Sequence, residues 1–183
     1  MLTPWLVYHV CMSRDPNPGV VGIYTAPDAG RPVVAHDSVE VVAGIGIPGD
    51  RYAAKRGHWS DPRWPDKELT FAEAETGEEL GVAPELLRRN IVTRGVVLVG
   101  LIGLEFRVGE VVLAGMRPCN PCRYLEGLVG KPGLLRELAG RGGLRTKVLQ
   151  GGRLAIGDAI EVLGVYDEAL LRGEGEQASV AYH

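Results

Sequence analysis

The sequence is short of several things, and each shortage narrows what the chain can be. Three cysteines, Cys11, Cys119 and Cys122, occur in 183 residues, too few for a secreted disulfide scaffold. In a reducing compartment a close pair such as Cys119 and Cys122 is more often a metal-ligand set or reactive thiols. Aromatic residues are scarce at 6%, whereas there are 26 glycines and 12 prolines, so the chain turns often and favours short strands over long helices. There is no basic excess: 20 basic residues stand against 23 acidic ones, a net charge of −3, which argues against a general nucleic-acid or membrane-surface binder. No apolar run approaches the roughly 20 residues needed to cross a bilayer. Pro4 and His9 interrupt the N-terminal apolar segment, which also lacks the basic start and small-residue cleavage site of a signal peptide. A cytoplasmic protein with no nucleic-acid and no membrane partner is expected.

What is present suits one globular domain over residues 1–183, with 45% hydrophobic and 23% charged residues and enough length to bury a core. Leu2 to Cys11, Val20 to Tyr24, Ser38 to Ala43 and Asn90 to Thr93 read as strands, separated by Gly- and Pro-rich breakers. Leu69 to Phe71 reads as a short strand, Ala72 to Leu80 as a helix stopped near Gly81, and Pro84 to Arg88 as one helical turn. Pro132 to Ala139 reads as a short amphipathic helix ending at Gly140. Residues 54–67, with two Trp and two Pro, form a long loop of the kind that is often functional. Gly109-Glu110 and Gly157-Asp158 are matching Gly-acid turns, each flanked by strand-forming residues. A peripheral C-terminal segment, a helix and a frayed tail, follows residue 163.

Three blocks, in order, carry a resemblance. The first is Gly46-Ile47-Pro48-Gly49-Asp50-Arg51-Tyr52. The second is Leu87-Arg88-Arg89-Asn90-Ile91-Val92-Thr93-Arg94-Gly95, followed by Leu101-Ile102-Gly103 and Arg107-Val108-Gly109. The third runs from Arg117-Pro118-Cys119-Asn120-Pro121-Cys122 through Gly143 to Leu149 and on to Gly157-Asp158. Together they resemble the MOSC family, named for the C-terminal domain of molybdenum-cofactor sulfurases, over about residues 20–163. The resemblance implies a mainly β fold, a MOSC-type β-barrel with a few short peripheral helices. It further implies a cysteine that carries a persulfide or ligates molybdenum. Cys122, after Pro121 and before Arg123-Tyr124-Leu125, matches that position. The chain has no room for a pyridoxal-phosphate sulfurase domain. Sulfur would then come from a donor such as a cysteine desulfurase, or the chain would pass molybdenum cofactor to an acceptor protein.

A thiolate is the reactive and metal-binding form of cysteine, and nearby positive charge stabilises it. Arg117 and Arg123 flank the pair in sequence, and Arg145 and Lys147 join them if their strand lies alongside. Cys119 makes the segment Cys-x-Pro-Cys; it is a resolving thiol, half of a zinc site, or simple packing. Arg51 follows a Gly-rich turn and either meets an anion or closes the turn against Asp50. Arg89 and Asn90 are candidates for lining a cleft, against the plainer reading of a solvated charged face. His58, Trp59 and Trp64 either cover a pocket or cap the core. The leading function is therefore a sulfur carrier or molybdenum-cofactor-binding protein, possible enzyme included. The alternatives are a non-catalytic module that binds a small anion or partner protein, and a structural zinc protein.

Overall fold

The computed structural model describes residues 18–61 and 66–167. The expected strand at Leu2 to Cys11 and most of the C-terminal segment lie outside them. The described strands are β1 (Gly19–Thr25), β2 (Val34–Ala35), β3 (Ser38–Val41), β4 (Leu69–Glu73), β5 (Ile91–Arg94), β6 (Leu104–Val108), β7 (Val111–Pro118), β8 (Leu144–Gln150), β9 (Gly152–Ala155) and β10 (Ile160–Val165). Three short helices accompany them: α1 (Ala74–Leu80), α2 (Arg123–Val129) and α3 (Leu134–Glu137). The fold is mainly β.

Eight strands form one curled sheet in the order β10-β6-β7-β8-β4-β5-β1-β2, and β3 pairs with β9 as a separate ribbon. Neighbours run antiparallel except β4 and β5. A parallel pair needs a crossover, here supplied by α1 and the 3-10 turn Pro84–Leu87. The ladder does not run all the way round, so the sheet is a half-barrel. The gap is bridged instead by the Gly157-Asp158 corner: Val20 donates its amide to the Asp158 carbonyl at 3.0 Å, and Gly157 donates to the Val20 carbonyl at 2.8 Å.

The two Gly-acid turns therefore differ in role. Gly109-Glu110 closes the hairpin between β6 and β7, whereas Gly157-Asp158 turns the chain from the ribbon into the large sheet. The first is also tied to β9. Glu110 takes the Arg153 amide on its carboxylate at 2.9 Å and donates its own amide to the Arg153 carbonyl at 3.0 Å.

Alternation along β4 divides the interior into two. Leu69 and Phe71 enter the main core with Ile23, Ile91, Leu113 and Leu144, where Phe71 meets Phe106 edge-on at 6.0 Å. Ala72, on the opposite face, packs with Val82, Leu87, Leu125, Leu134 and Leu138 beneath the helices. Both faces of β4 are thus covered, and the outer layer leaves a recess.

Differences from the sequence reading are local. The strand at Leu69 runs two residues further, to Glu73, so the helix starts at Ala74. The expected 132–139 helix is shorter, Leu134–Glu137. The helix Arg123–Val129 was not expected, because Gly127 inside it weakens the signal; burial of Leu125 against the second cluster holds it.

Candidate functional site

The recess is a cleft of about 250 Å³ on the outer face of β4 and β8, beside α2. Its position follows from strand register. Thr70 of β4 pairs with Arg145 of β8, so these two side chains lie next to each other on the face opposite the main core. Arg51 and Tyr52 enter from the Gly-rich turn, and His58 and Trp59 from the long loop. Lys67, Arg88, Arg89, Cys119, Asn120, Cys122 and Tyr124 complete the polar lining. Five of the lining side chains, Arg51, Lys67, Arg88, Arg89 and Arg145, are cationic, and no carboxylate is among the described lining residues.

How these cations are held is the informative feature. Arg51 donates to the Arg88 carbonyl at 2.8 Å, and Arg88 donates to the Arg31 carbonyl at 2.7 Å. Arg89 donates from Nε to the Gly142 carbonyl at 3.0 Å and from Nη2 to the Cys119 carbonyl at 3.5 Å. Lys67 donates Nζ to the Trp59 carbonyl. A carbonyl orients a cation without cancelling its charge. Arg51 also has a carboxylate partner: its Nη1 lies 3.0 Å from Asp50, both side chains being almost fully buried. Asp50 also accepts the amides of Ala26 and Tyr52, each at 3.1 Å. Both readings of the Gly-Asp-Arg turn thus have a place: Asp50 closes the turn, and Arg51 still faces the cleft.

Several buried donors in the wall are unpartnered among the described residues: Arg88 Nη2, Arg145 Nε and the Tyr124 hydroxyl. Buried polar groups are nearly always hydrogen-bonded, so such orphans in one cleft mark where a ligand's acceptors belong. The field acts on the titrating groups too. Burial, and next the charge of Arg145, lowers the Lys67 pKa to about 8. Burial, and next Arg51, lowers that of Arg88. Burial pushes the Tyr52 phenol up against the opposing pull of Arg51 and Arg89, and the Arg51 guanidinium lies 4.8 Å from the Tyr52 ring centre. On the rim His58 stacks on Tyr124 at 3.9 Å and meets Trp59 edge-on at 5.0 Å.

The two thiols are free and differ in setting. Cys119 is 8% exposed; its amide donates to the Gly143 carbonyl at 2.7 Å, and it lies within electrostatic range of Lys67 and Tyr52. Cys122 is half-buried at the start of α2, with its other side against the second apolar cluster.

The cleft gathers Cys119, Cys122, Arg51, Arg89 and Arg145 from the sequence candidates. Others lie elsewhere. Asn90 is 1% exposed and is used inside the sheet: Thr70 donates its hydroxyl to Asn90 Oδ1 at 2.9 Å, and Asn90 Nδ2 donates to the Tyr24 carbonyl at 3.3 Å. Arg117 turns outward to Asp66 at 2.6 Å. Arg123 is exposed on α2, and Lys147, two residues beyond Arg145, lies near Glu68 instead of the cleft. Trp64 is outside the described residues. Lys67, Thr70, Arg88 and Tyr124 were not singled out as site residues in the sequence; the signal available was the pairing of Thr70 with Arg145, which requires the register. Among the described residues no three His, Cys, Asp or Glu side chains cluster as a metal site, and no helix is long and apolar enough to cross a membrane.

Comparison with known proteins agrees with this architecture. The model of the MOSC domain matches residues 64–161. The chain belongs to the MOSC domain family. That match spans β4 to the start of β10 and so includes Cys119, Cys122, Arg88, Arg89 and Arg145. Similar solved MOSC-type folds include the YuaD protein from Bacillus subtilis, at 22% identity and a TM-score of 0.66, covering 82% of this chain and 97% of that one. YiiM from Escherichia coli is 19% identical with a TM-score of 0.61, covering 82% and 71%. YiiM from Geobacillus stearothermophilus is 19% identical with a TM-score of 0.57, covering 80% and 75%. No curated protein matches the sequence.

Proposed function

We propose that this MOSC domain is a sulfur-carrying or molybdenum-cofactor-binding protein in which Cys122 holds the persulfide or ligates the metal. One observation carries the reading: two free thiols share a cleft with five cations, and four of those cations are oriented by backbone carbonyls. Such a site stabilises a thiolate or persulfide anion and receives an anionic ligand. Cys122 is the more accessible thiol, as a carrier that must hand sulfur on requires.

The donor set also fits a molybdenum cofactor. Cys122 would offer the thiolate ligand, and Arg88, Arg89 and Arg145 would receive the anionic groups; the cofactor would supply oxygen-atom and electron chemistry. The unpartnered Arg88 Nη2 and Arg145 Nε support that assignment.

The test is persulfide-specific labelling of the protein after loading with inorganic polysulfide and gel filtration, with molybdenum content measured in parallel. Cys122→Ser should lose the retained persulfide or metal, and Cys119→Ser should keep it. The reverse pattern would assign the holding role to Cys119, and no retained sulfur or metal in any form would favour a plain anion-binding module.

A further inference from the structure

We propose that the cleft is loaded by a small sulfur oxyanion of the thiosulfate class, with Cys119 as the thiol that receives the sulfur. The inference rests on the carrier reading above and adds the donor and the receiving atom.

The observations are the cleft's charge, its size and the unequal setting of its thiols. Arg88, Arg89, Arg145 and Lys67 converge with no described carboxylate beside them in the lining. Arg145 Nε and Arg88 Nη2 are without partners among the described residues. A guanidinium with a free N–H is suited to an oxyanion, because its planar fork presents donors in fixed directions. The volume of about 250 Å³ lies below the roughly 300–1,000 Å³ of sites for drug-sized ligands, and suits an anion of a few heavy atoms. Cys119 is 8% exposed within this space, too enclosed for the cysteine loop of a second protein to approach. A small diffusible donor reaches it.

Cys119 is also the thiol aligned with the charge. It lies within electrostatic range of Lys67, and Arg89 is fixed against its carbonyl. Its backbone has no freedom to retreat: a Cβ on Gly142 would come within 2.1 Å of the Cys119 carbonyl oxygen. Cys122, by contrast, has the apolar cluster of Leu125, Leu134 and Leu138 on its side.

The step balances without an outside oxidant. The Cys119 thiol loses its proton to solvent. The resulting thiolate attacks the outer sulfur of thiosulfate and forms the new S–S bond. The old S–S bond breaks, and sulfite leaves with its electron pair. The transferred sulfur first sits on Cys119 as a persulfide, and the dianionic sulfite departs from the cationic wall. The Cys122 thiolate then takes that outer sulfur, the Cys119–S bond breaks to restore the Cys119 thiolate, and the persulfide is held on Cys122.

The experiment uses the reduced full chain with thiosulfate alone, following sulfite release in a single turnover, intact mass and peptide mapping. Wild type should release one sulfite per chain and gain one sulfur, which maps to Cys122 in wild type and to Cys119 in Cys122→Ser. Cys122→Ser should still release sulfite; Cys119→Ser should not. Arg145→Gln should slow release at least tenfold through weaker thiosulfate binding, with Arg145→Lys recovering part of the loss, which separates lost charge from misfolding. Sulfite release by Cys119→Ser at the wild-type rate would overturn the inference. So would loading by polysulfide with none by thiosulfate, an outcome that leaves the carrier reading standing. Failure of both donors would remove the carrier reading as well.

Discussion

Lys67→Met should make the protein more stable and its cleft a poorer anion site. Lys67 is 8% exposed, and its pKa is lowered from 10.5 to about 8 by burial first and Arg145 second. Below pH 8 the fold therefore holds a charged group it disfavours, at a cost on the order of 3 kcal/mol. Methionine removes that cost and keeps the length of the stem, but loses the donation to the Trp59 carbonyl, worth about 1 kcal/mol or somewhat more if that oxygen stays dry. The net gain near pH 6.5 is about 1–2 kcal/mol. The pH dependence fixes the sign. Between about 8 and 10.5 the unfolded chain binds the Lys67 proton and the folded chain does not, so this group makes wild-type stability rise with pH across that window. The advantage of Lys67→Met should then be full at pH 6.5 and smaller at pH 9.5. Urea unfolding at the two pH values, with unchanged m-values, measures it. Sulfate affinity, by calorimetry, should fall in the variant at pH 6.5, and in wild type as pH rises through about 8. A variant less stable than wild type at pH 6.5, or one whose advantage is the same at both values, would refute the reasoning.

Other positions separate structure from site in the same way. Asn90→Ala strands the Thr70 hydroxyl and the Tyr24 carbonyl inside the sheet, so unfolding free energy should fall by about 2–4 kcal/mol; a loss below about 1 kcal/mol accompanied by lost anion binding would instead make Asn90 a ligand-contacting residue. Tyr124→Phe removes a buried hydroxyl that has no partner, so stability should hold or rise by up to about 1 kcal/mol while sulfate affinity drops severalfold. A clear loss of stability in that variant would mean that the hydroxyl is satisfied within the protein.

The sequence announces the elements whose signals are local. Breakers bound β1, β3 and β5, Gly81 stops α1, and Pro84 starts a helical turn, each within a few residues of where it was read. Asp50 and Arg51 are likewise legible as a pair, because adjacent opposite charges follow the turn Gly46-Ile47-Pro48-Gly49. What cannot be read is pairing. The Gly157-Asp158 turn looks like that of a hairpin and is instead a corner that ties β10 to β1. Arg117 and Arg145 are partners in register, yet Arg145 faces the cleft and Arg117 takes Asp66. A one-residue register difference reverses a strand side chain's face, and local sequence does not fix it. Asn90 was drawn toward the site by its basic neighbours, although a buried amide that bridges three strands is a structural use of the same residue type.

Charge pairing explains how a chain with a net charge of −3 keeps a strongly cationic recess. Six of the described basic residues outside the cleft are matched with carboxylates: Arg56 with Asp28, Arg94 with Glu78, Arg107 with Glu161, Arg117 with Asp66, Lys131 with Glu137 and Arg141 with Glu79. Those pairs are at least partly exposed and screened, and each adds little to stability. Inside the cleft the rule changes. Arg88, Arg89 and Lys67 are oriented by the carbonyls of Arg31, Gly142, Cys119 and Trp59, so their positions are fixed while their charge stays available. Burial first, and crowding by a neighbouring cation second, disfavours these charges, as the lowered pKa values of Lys67 and Arg88 record. A bound anion offsets both, so ligand binding and folding stability are coupled at this site. Sulfate or thiosulfate should accordingly raise the unfolding midpoint of wild type more than that of Lys67→Met, because the variant has already shed part of the repulsion that the anion relieves.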